Sequence, residues 1–409
     1  AITADAPLYR NWGLAIDIGT TTVVVALIGA GRMVSTLRRN PQSMMGADVI
    51  SRIGHALDGS LALLCATIRT ALCEMIAQLS AHRDILPTAI DHAVITGNTT
   101  MLYLLTAKLP TTLARAPFVA DHLFGETVPA KTLGLNIADT ATVYLPRCIS
   151  AFVGADMVTA LCAVGLNTLA NTLPNTLPNR TPPNRTLLIV DVGTNGELIL
   201  IHGEQMIATA TAAGPAFEGA SLSCGTVGVT GAIERVWPED GRLSFSTIDN
   251  APAIGICGSG IVDALATMRE IGLIDETGYL DEPVLLSGDV GITLADIRAI
   301  QLAKGAIRAA IETLLETAGV SYDQIDALLI AGSFGSHLNL ANAAAIGLFP
   351  PALLPVAQTT GNAAHNGAIM LLQDRRLIER TEASAQKAQT LALTNNPVFE
   401  RKFIEYINF

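Results

Sequence analysis

The chain has no C-x-x-C pair and no cluster of cysteines: its six stand at 65, 73, 148, 162, 224 and 257. That spacing argues against a structural zinc or an iron–sulfur cluster held within the chain. Isolated thiols of this kind are expected as small core residues in a reducing cytoplasm. The seven histidines show no metal spacing either. Charged residues are only 15% of the total, and no long Lys/Arg run interrupts a net charge of −11, which argues against nucleic acid or an anionic membrane as the main partner. No charge-free apolar run reaches the ~18 residues that span a bilayer. The most hydrophobic stretches, 60–79 and 152–170, carry Arg69 and Glu74 or Asp156 and are expected as buried helices. There is no signal peptide at the start, and the lack of an initiator Met leaves either a processed product or an excised piece as the expectation. A G-x-x-x-x-G-K-S/T loop is missing, as is any G-x-G-x-x-G placed after a strand.

What the chain does have is apolar bulk, half of its 409 residues, enough for two domains or lobes. The stretch AIDIGTTTVVVAL, residues 15–27, sets Asp17-Ile18-Gly19-Thr20-Thr21-Thr22 between two apolar runs. Tight hairpins normally turn on Asn-Gly or Asp-Gly; a hydroxyl-rich tip preceded by an acid is suited to holding a ligand. The pattern recurs in LLIVDVGTNGELILI, residues 187–201, where Asp191, Gly193 and Thr194 align with Asp17, Gly19 and Thr20.

The flanking patterns repeat as well. Strands are expected near 13–18, 22–28 and 32–37, then a helical region at 47–80, a strand at 92–96, a short helix, a strand at 142–146 and a helix at 151–166. The second half gives strands near 187–191, 196–202 and 206–211, a helix opening at 214–222, an insertion, a strand at 326–331, a helix, a short strand near 353–357 and a helix at 362–373. Each half reads β-β-β-α-β-α-β-α, which implies a mixed sheet with helices on its faces. The T-L-P-N near-repeats of 167–186 mark a surface loop. Expected boundaries are a tail at 1–12, a first lobe at 13–186, a second at 187–360, and a hinge helix and tail at 361–409 returning toward the first lobe.

Two lobes facing each other would aim both tips into one cleft. Backbone N–H groups freed by glycine, together with hydroxyls, suit phosphate oxygens, and an Asp can hold Mg²⁺ directly or through water. A magnesium polyphosphate is the simplest ligand that uses both tips.

The order of motifs resembles the ASKHA superfamily, the two-lobed ATPases that include actin, Hsp70 and sugar kinases. DIGTTT (17–22) and DVGTNG (191–196) are similar to its two phosphate motifs, HAVITGNTTM (92–101) to the first connecting motif and CISAFVGADMVTALCAVGL (148–166) to the interlobe helix. LLIAGSFGSHLN (328–339) is similar to the adenosine motif, and GNAAHNGAIMLL (361–372) to the second connecting helix, whose small residues let two helices cross closely. The resemblance implies an α/β fold of two ribonuclease-H-like lobes with a nucleotide cleft between them.

Other stretches resemble one family within it, the ATP-dependent reductive activators of corrinoid proteins. They are NPQSMMGADVISRI (40–53), AAGPAFEGASLSCG (212–225), GICGSGIVDAL (255–265), QLAKGAIRAAIETLL (301–315) and the ending LTNNPVFERKFIEYINF (393–409). That resemblance implies coupling of ATP to reduction of Co(II) corrinoid to Co(I) for methyl transfer, a corrinoid protein of a methyltransferase system as partner, and a homodimer. Its iron–sulfur cluster is expected on a missing domain or a separate electron donor. Two alternatives share the fold. One is a small-molecule kinase. The other is an activator of 2-hydroxyacyl-CoA dehydratases or benzoyl-CoA reductases, disfavoured because Thr211 stands where its C-A-A-G-T-G motif has the cluster cysteine and Cys257 lies well downstream. A nucleotide-switched binding module with negligible turnover is a third possibility.

Asp17 and Asp191 are the candidates for Mg²⁺ and for orienting the attacking water, since in-line displacement needs a metal to offset charge. Gly19, Thr20, Thr21, Thr22, Gly193, Thr194, Asn195 and Gly196 are the phosphate candidates, with Gly214 as the turn before Glu218 and Glu218 for ribose. Lys304 and Arg308, four apart on one helix face, are placed by the resemblance beside adenine. Gly332, Ser333 and Phe334 form the adenosine turn, and Gly258-Ser259-Gly260 opens a helix with free N–H groups for an anion. Asn40, Gln42, Asp48 and Arg52 form a polar run that either lines the cleft or caps and pairs on a helix.

Overall fold

The structure, a computed structural model, describes residues 12–168, 185–332 and 334–409. The expected N-terminal tail up to residue 11, the loop residues 169–184 and Ser333 lie outside the described residues. The described residues form two compact units, one of 12–168 with 363–388, the other of 185–362 with 389–409.

The first unit opens with three antiparallel strands, β1 (Trp12–Ile18), β2 (Thr22–Gly29) and β3 (Arg32–Arg39). They are followed by α1 (Val49–His55) and α2 (Leu61–His82). A π-helical turn joins these two helices, and Gly59 at φ +96° marks the kink. Next come β4 (Ile90–Gly97), α3 (Thr99–Leu105), β5 (Glu126–Pro129), β6 (Thr142–Leu145) and α4 (Ala155–Thr168). The sheet order is β3-β2-β1-β4-β6-β5, with β4 parallel to both β1 and β6. By length and composition the helical stretch 49–82 is apolar enough to cross a membrane, although it carries the charges noted above. Leu64, Ile68, Leu72 and Ile76 of α2 are buried in the core of this unit, at the spacing of one helix face.

The second unit repeats the plan. Antiparallel β7 (Thr186–Val192), β8 (Gly196–His202) and β9 (Gln205–Thr211) come first. The helix expected at 214–222 is only a short 3-10 turn, Pro215–Glu218, because Gly214 and Gly219 bracket it at φ +78° and +76°. Inserted strands β10 (Ala232–Glu239), β11 (Arg242–Thr247) and β12 (Gly255–Ile256) lead into α5 (Gly258–Glu270). The hairpin β13 (Val284–Ser287) and β14 (Val290–Ile292) then precedes α6 (Leu294–Ala318), which crosses back to β15 (Ala327–Ala331). After α7 (Leu340–Ala345), a 3-10 turn holding Pro351 and Pro355 stands where a strand was expected, and β16 follows at Ala357–Gly361. The order β16-β15-β7-β8-β9 matches β6-β4-β1-β2-β3 strand for strand, with the same parallel and antiparallel neighbours. The strand order of each unit is thus the ribonuclease-H-like one.

Beyond residue 361 the expectation needs one correction. Helices α8 (Ala363–Gln373) and α9 (Arg376–Lys387) pack in the first unit, but β17 (Gln389–Thr390) pairs with β9, and α10 (Pro397–Tyr406) packs along α6 in the second. In the first unit α8 crosses α4 closely. A Cβ on Gly367 would stand 1.8 Å from the Thr159 carbonyl oxygen, so the crossing requires a glycine there.

Candidate functional site

The first tip lies where β1 ends and β2 begins. Gly19 N–H donates to the Thr22 carbonyl at 2.9 Å, and a Cβ at position 19 would lie 2.7 Å from that oxygen. The polar run at 40–52 turns out to be the scaffold behind this tip. Asn40 donates from Nδ2 to the Gly19 carbonyl at 2.8 Å and from its backbone N–H to the Thr21 carbonyl at 2.7 Å. Arg52 Nη2 donates to the Thr20 carbonyl at 2.6 Å. Asn40, Gln42 and Arg52 are fully buried. Gln42 Nε2 donates to the Leu64 carbonyl, and the Asp48 carboxylate caps α1 by accepting from the Ser51 N–H. Three successive carbonyls therefore face buried donors. In planar trans peptides the following N–H groups, those of Thr20, Thr21 and Thr22, point the opposite way.

A second contact fixes the same tip. Asn98 caps α3 through Oδ1 and donates from Nδ2 to Thr20 Oγ1 at 3.0 Å. A Cβ on Gly97 would lie 2.6 Å from the Ile18 carbonyl oxygen, and one on Gly154 would lie 2.3 Å from Asn98 Cα, so both glycines are needed for this close approach. Asp17, 8% exposed, sits at the end of β1 beside them.

In the second unit Asp191 holds the equivalent place on β7. Gly193 N–H donates to the Asn195 carbonyl at 3.3 Å, and Gly214 N–H to the Thr194 carbonyl at 2.9 Å. The Asn195 N–H therefore points away from Gly214. Neither it nor the Asn195 side chain has a hydrogen-bond partner among the described residues. Gly196 opens β8 with no room for a side chain, since a Cβ would lie 3.0 Å from both Ile307 and Thr211. The Thr194 hydroxyl donates to Glu218 Oε2, so Glu218 orients the tip. Gly332 follows β15 at φ +98°, where a Cβ would stand 2.8 Å from Asp191 Oδ1 and 2.9 Å from the Val192 carbonyl oxygen. The Phe334 ring stacks on Phe217 at 5.1 Å.

Sequence reasoning missed Asn98 as a tip contact, and it missed Glu197. Glu197 is buried and sits directly opposite Asp191 in the β7–β8 ladder, so the two carboxylates share one face. Like charges placed so destabilise a ladder unless a cation or proton joins them. The signal was available as the spacing D-x-G-x-x-x-E across a three-residue turn. Among the described residues no three Asp, Glu, His or Cys side chains group to hold a metal. Magnesium takes one or two carboxylates and completes its shell with water and phosphate oxygens, and each unit by itself offers carboxylates at its tip, Asp17 in the first and Asp191 with Glu197 in the second. The outward N–H groups of the tips fit phosphate.

Two other expected contacts are built differently. The start of α5 is covered. A Cβ on Gly258 would lie 2.0 Å from the Phe217 carbonyl oxygen and one on Gly260 2.2 Å from that of Ile233, while Ser259 Oγ donates to the Glu234 carbonyl at 3.0 Å. These residues pack α5 rather than present open N–H groups. Lys304 and Arg308 do share a face of α6, but α10 and the residues after it lie on that face. Lys304 is 1% exposed, and its Nζ donates to the carbonyls of Tyr406, at 2.7 Å, and Asn408. Thr211 ends β9 opposite Gly196, and Cys257 Sγ donates to the Ile233 carbonyl in the core.

Comparison with known proteins adds the following. A family described as the C-terminal domain of RACo, the ASKHA domain, matches residues 185–409, and one described as the RACo middle region matches residues 12–169. Corrinoid activation enzyme RamQ of Eubacterium limosum is 32% identical over 98% of this chain and 70% of its own length. A Co(II) methylated amine-specific corrinoid protein reductase of Methanosarcina barkeri is 24% identical over 96% of this chain and 76% of its own. Among solved structures, a reductive activator for corrinoid, iron-sulfur protein superposes with a TM-score of 0.88 at 31% identity, covering 99% of this chain and 67% of that one.

Proposed function

The chain belongs to the RACo family, through both its middle region and its C-terminal ASKHA domain, and we propose on that footing that it is an ATP-dependent reductive activator of a corrinoid protein. ATP binding or hydrolysis is coupled to the return of a Co(II) corrinoid to Co(I). One electron enters cobalt, and the donor is oxidised by one. That donor is an iron–sulfur cluster on a further domain or a separate protein, because the six cysteines here are free thiols, four of them buried. The partner is a corrinoid protein of a methyltransferase system, met in a reducing cytoplasm by a homodimer of this chain.

Mg-ATP is the ligand assigned to the two tips. Bound there, Mg²⁺ would offset phosphate charge. Asp17 and Asp191 take the Mg²⁺ and orient the attacking water, with Glu197 beside Asp191. Thr20, Thr21, Thr22, Thr194 and Asn195 meet phosphate oxygens, and Glu218 holds the Thr194 hydroxyl in place. Gly214, Gly332 and Phe334 shape the adenosine side.

The observation that carries the reading is the recurrence of one tip, Asp-x-Gly-Thr, at the same strand position of both units, with its carbonyls tied back and N–H groups turned outward. The test mixes the chain with a Co(II) corrinoid protein, Mg-ATP and Ti(III) citrate and follows the visible spectrum. Growth of the Co(I) band that depends on both ATP and the chain is expected, with free phosphate as product. A phosphorylated small molecule instead, or Co(I) formed equally without ATP, would overturn it.

A further inference from the structure

In the second unit a cavity of about 380 Å³ lies between α6, the end of α7 and the C-terminal residues. Two cations line it. Arg308 is 93% buried by its 7% exposure. Its Nε donates to Glu312 Oε1 at 2.8 Å, and its guanidinium lies 4.4 Å over the Tyr406 ring. Its two terminal nitrogens have no hydrogen-bond partner among the described residues. Lys304 spends two of its three N–H donors on the Tyr406 and Asn408 carbonyls, and no carboxylate among the described residues forms an ion pair with it. Arg269 and Lys304 both lie over the Phe409 ring, at 5.8 and 5.4 Å. Burial, then Arg308 and Arg269, push the Lys304 amine down to about 7. Two largely buried cations thus stand side by side, Arg308 with Glu312 as its ion-pair partner and Lys304 with none among the described residues. Removing groups like these from water costs free energy unless something pairs them.

We propose that this cavity is a second ligand site, for a small oxyanion-bearing molecule. Its carboxylate or phosphate is held by the Arg308 fork and the third Lys304 N–H, and its apolar body lies against Ala344, Ala345 and Pro351. A guanidinium with two free N–H groups is matched to a planar or tetrahedral oxyanion, and an adjacent ammonium adds a charge-assisted bond. The volume falls within the range of ordinary small-molecule sites, about 300–1,000 Å³. Glu276 and Glu405 also line the cavity and set a limit on the net charge of the ligand, favouring a mono- or dianion. None of the residues lining it belongs to either tip.

The test titrates the full chain with butyrate and, separately, with inorganic phosphate, read by calorimetry and by saturation-transfer NMR, with and without Mg-ATP. One of the two probes should bind saturably, which identifies the oxyanion class. Binding should weaken tenfold or more in Arg308→Gln, while Mg-ATP leaves it unchanged. Because Arg308→Gln empties a buried position, Ala345→Trp serves as the second variant. It starts from an exposed residue and fills the cavity while leaving both cations in the chain, and it should abolish binding while circular dichroism stays that of the wild type. No saturable binding of either probe, wild-type affinity in Ala345→Trp, or displacement of the probe by Mg-ATP would each overturn the proposal. The last outcome would return Lys304 and Arg308 to the nucleotide.

Discussion

Replacing Gly332 by alanine tests the second tip through its tightest contact. A non-glycine residue at φ +98° carries backbone strain of about 1–3 kcal/mol. The new Cβ would stand 2.8 Å from Asp191 Oδ1 and 2.9 Å from the Val192 carbonyl oxygen, closer than real Cβ contacts come. Relieving such an overlap costs about 1–3 kcal/mol more. The sum, about 2–6 kcal/mol, is comparable with a large part of the 5–15 kcal/mol that holds a typical protein folded, so a folded but less heat-stable variant is expected. The overlap can be relieved only by moving the turn or the Asp191 carboxylate. Misplacing a reacting group by about 1 Å costs on the order of a hundredfold in rate, and Mg-ATP turnover should fall tenfold or more. Gly241→Ala is the control. Gly241 has φ +73° in the β10–β11 turn, and its added Cβ would meet nothing within 4 Å, so it bears the strain without the clash. Phosphate release in the presence of the corrinoid protein and thermal unfolding by circular dichroism are measured for both. Wild-type turnover in Gly332→Ala, or equal losses in the two variants, would refute the reasoning.

Asp191→Asn should abolish Mg-ATP turnover while leaving the fold and circular dichroism intact; normal turnover would remove Asp191 from the site. Arg52→Met, which strips the Thr20 carbonyl of its buried donor, should cost about 1–3 kcal/mol in urea unfolding and weaken Mg-ATP binding seen by calorimetry. His365, buried on α8, has its pKa lowered by burial to about 4. The unfolded chain therefore binds the extra proton first, and stability is lost as pH falls from about 6.5 toward 4, at up to about 1.4 kcal/mol per pH unit. Urea midpoints at pH 7 and pH 5 should show a smaller difference in His365→Leu than in the wild type; equal differences would assign the acid sensitivity elsewhere.

Both tips were legible because each is written in six adjacent residues between continuous apolar runs, and strands 13–18, 22–28 and 187–191 end within about a residue of β1, β2 and β7. Errors fell where glycine or proline overrode a pattern, at the 214–222 turn and at 353–357. The support of the site was not legible for a different reason. Asn40 and Arg52 reach carbonyls 21 and 32 positions away, and Lys304 reaches carbonyls 102 and 104 positions away. No local pattern says whether a polar side chain will find backbone or water. The i, i+4 spacing of Lys304 and Arg308 predicted a shared face correctly but could not say that α10 would cover it. Glu197 was hidden because its meaning depends on register across a turn.

The route of the chain also bears on how this protein is made. It leaves the first unit, returns to it at 363–388 and leaves it again. Strands β1 and β2 are translated long before α8, yet Ala15, Ala26 and Val94 lack the cover of Ala368, Leu371 and Leu372 until α8 has been made. At about 5–20 residues per second, that is a wait of tens of seconds. The second unit is no better placed, since its strand β17 and helix α10 follow α9 in the chain. Neither unit is therefore complete before the stretch beyond residue 362 has been translated, and a messenger truncated before α8 would leave the first unit without α8 and α9 and the second without β17 and α10.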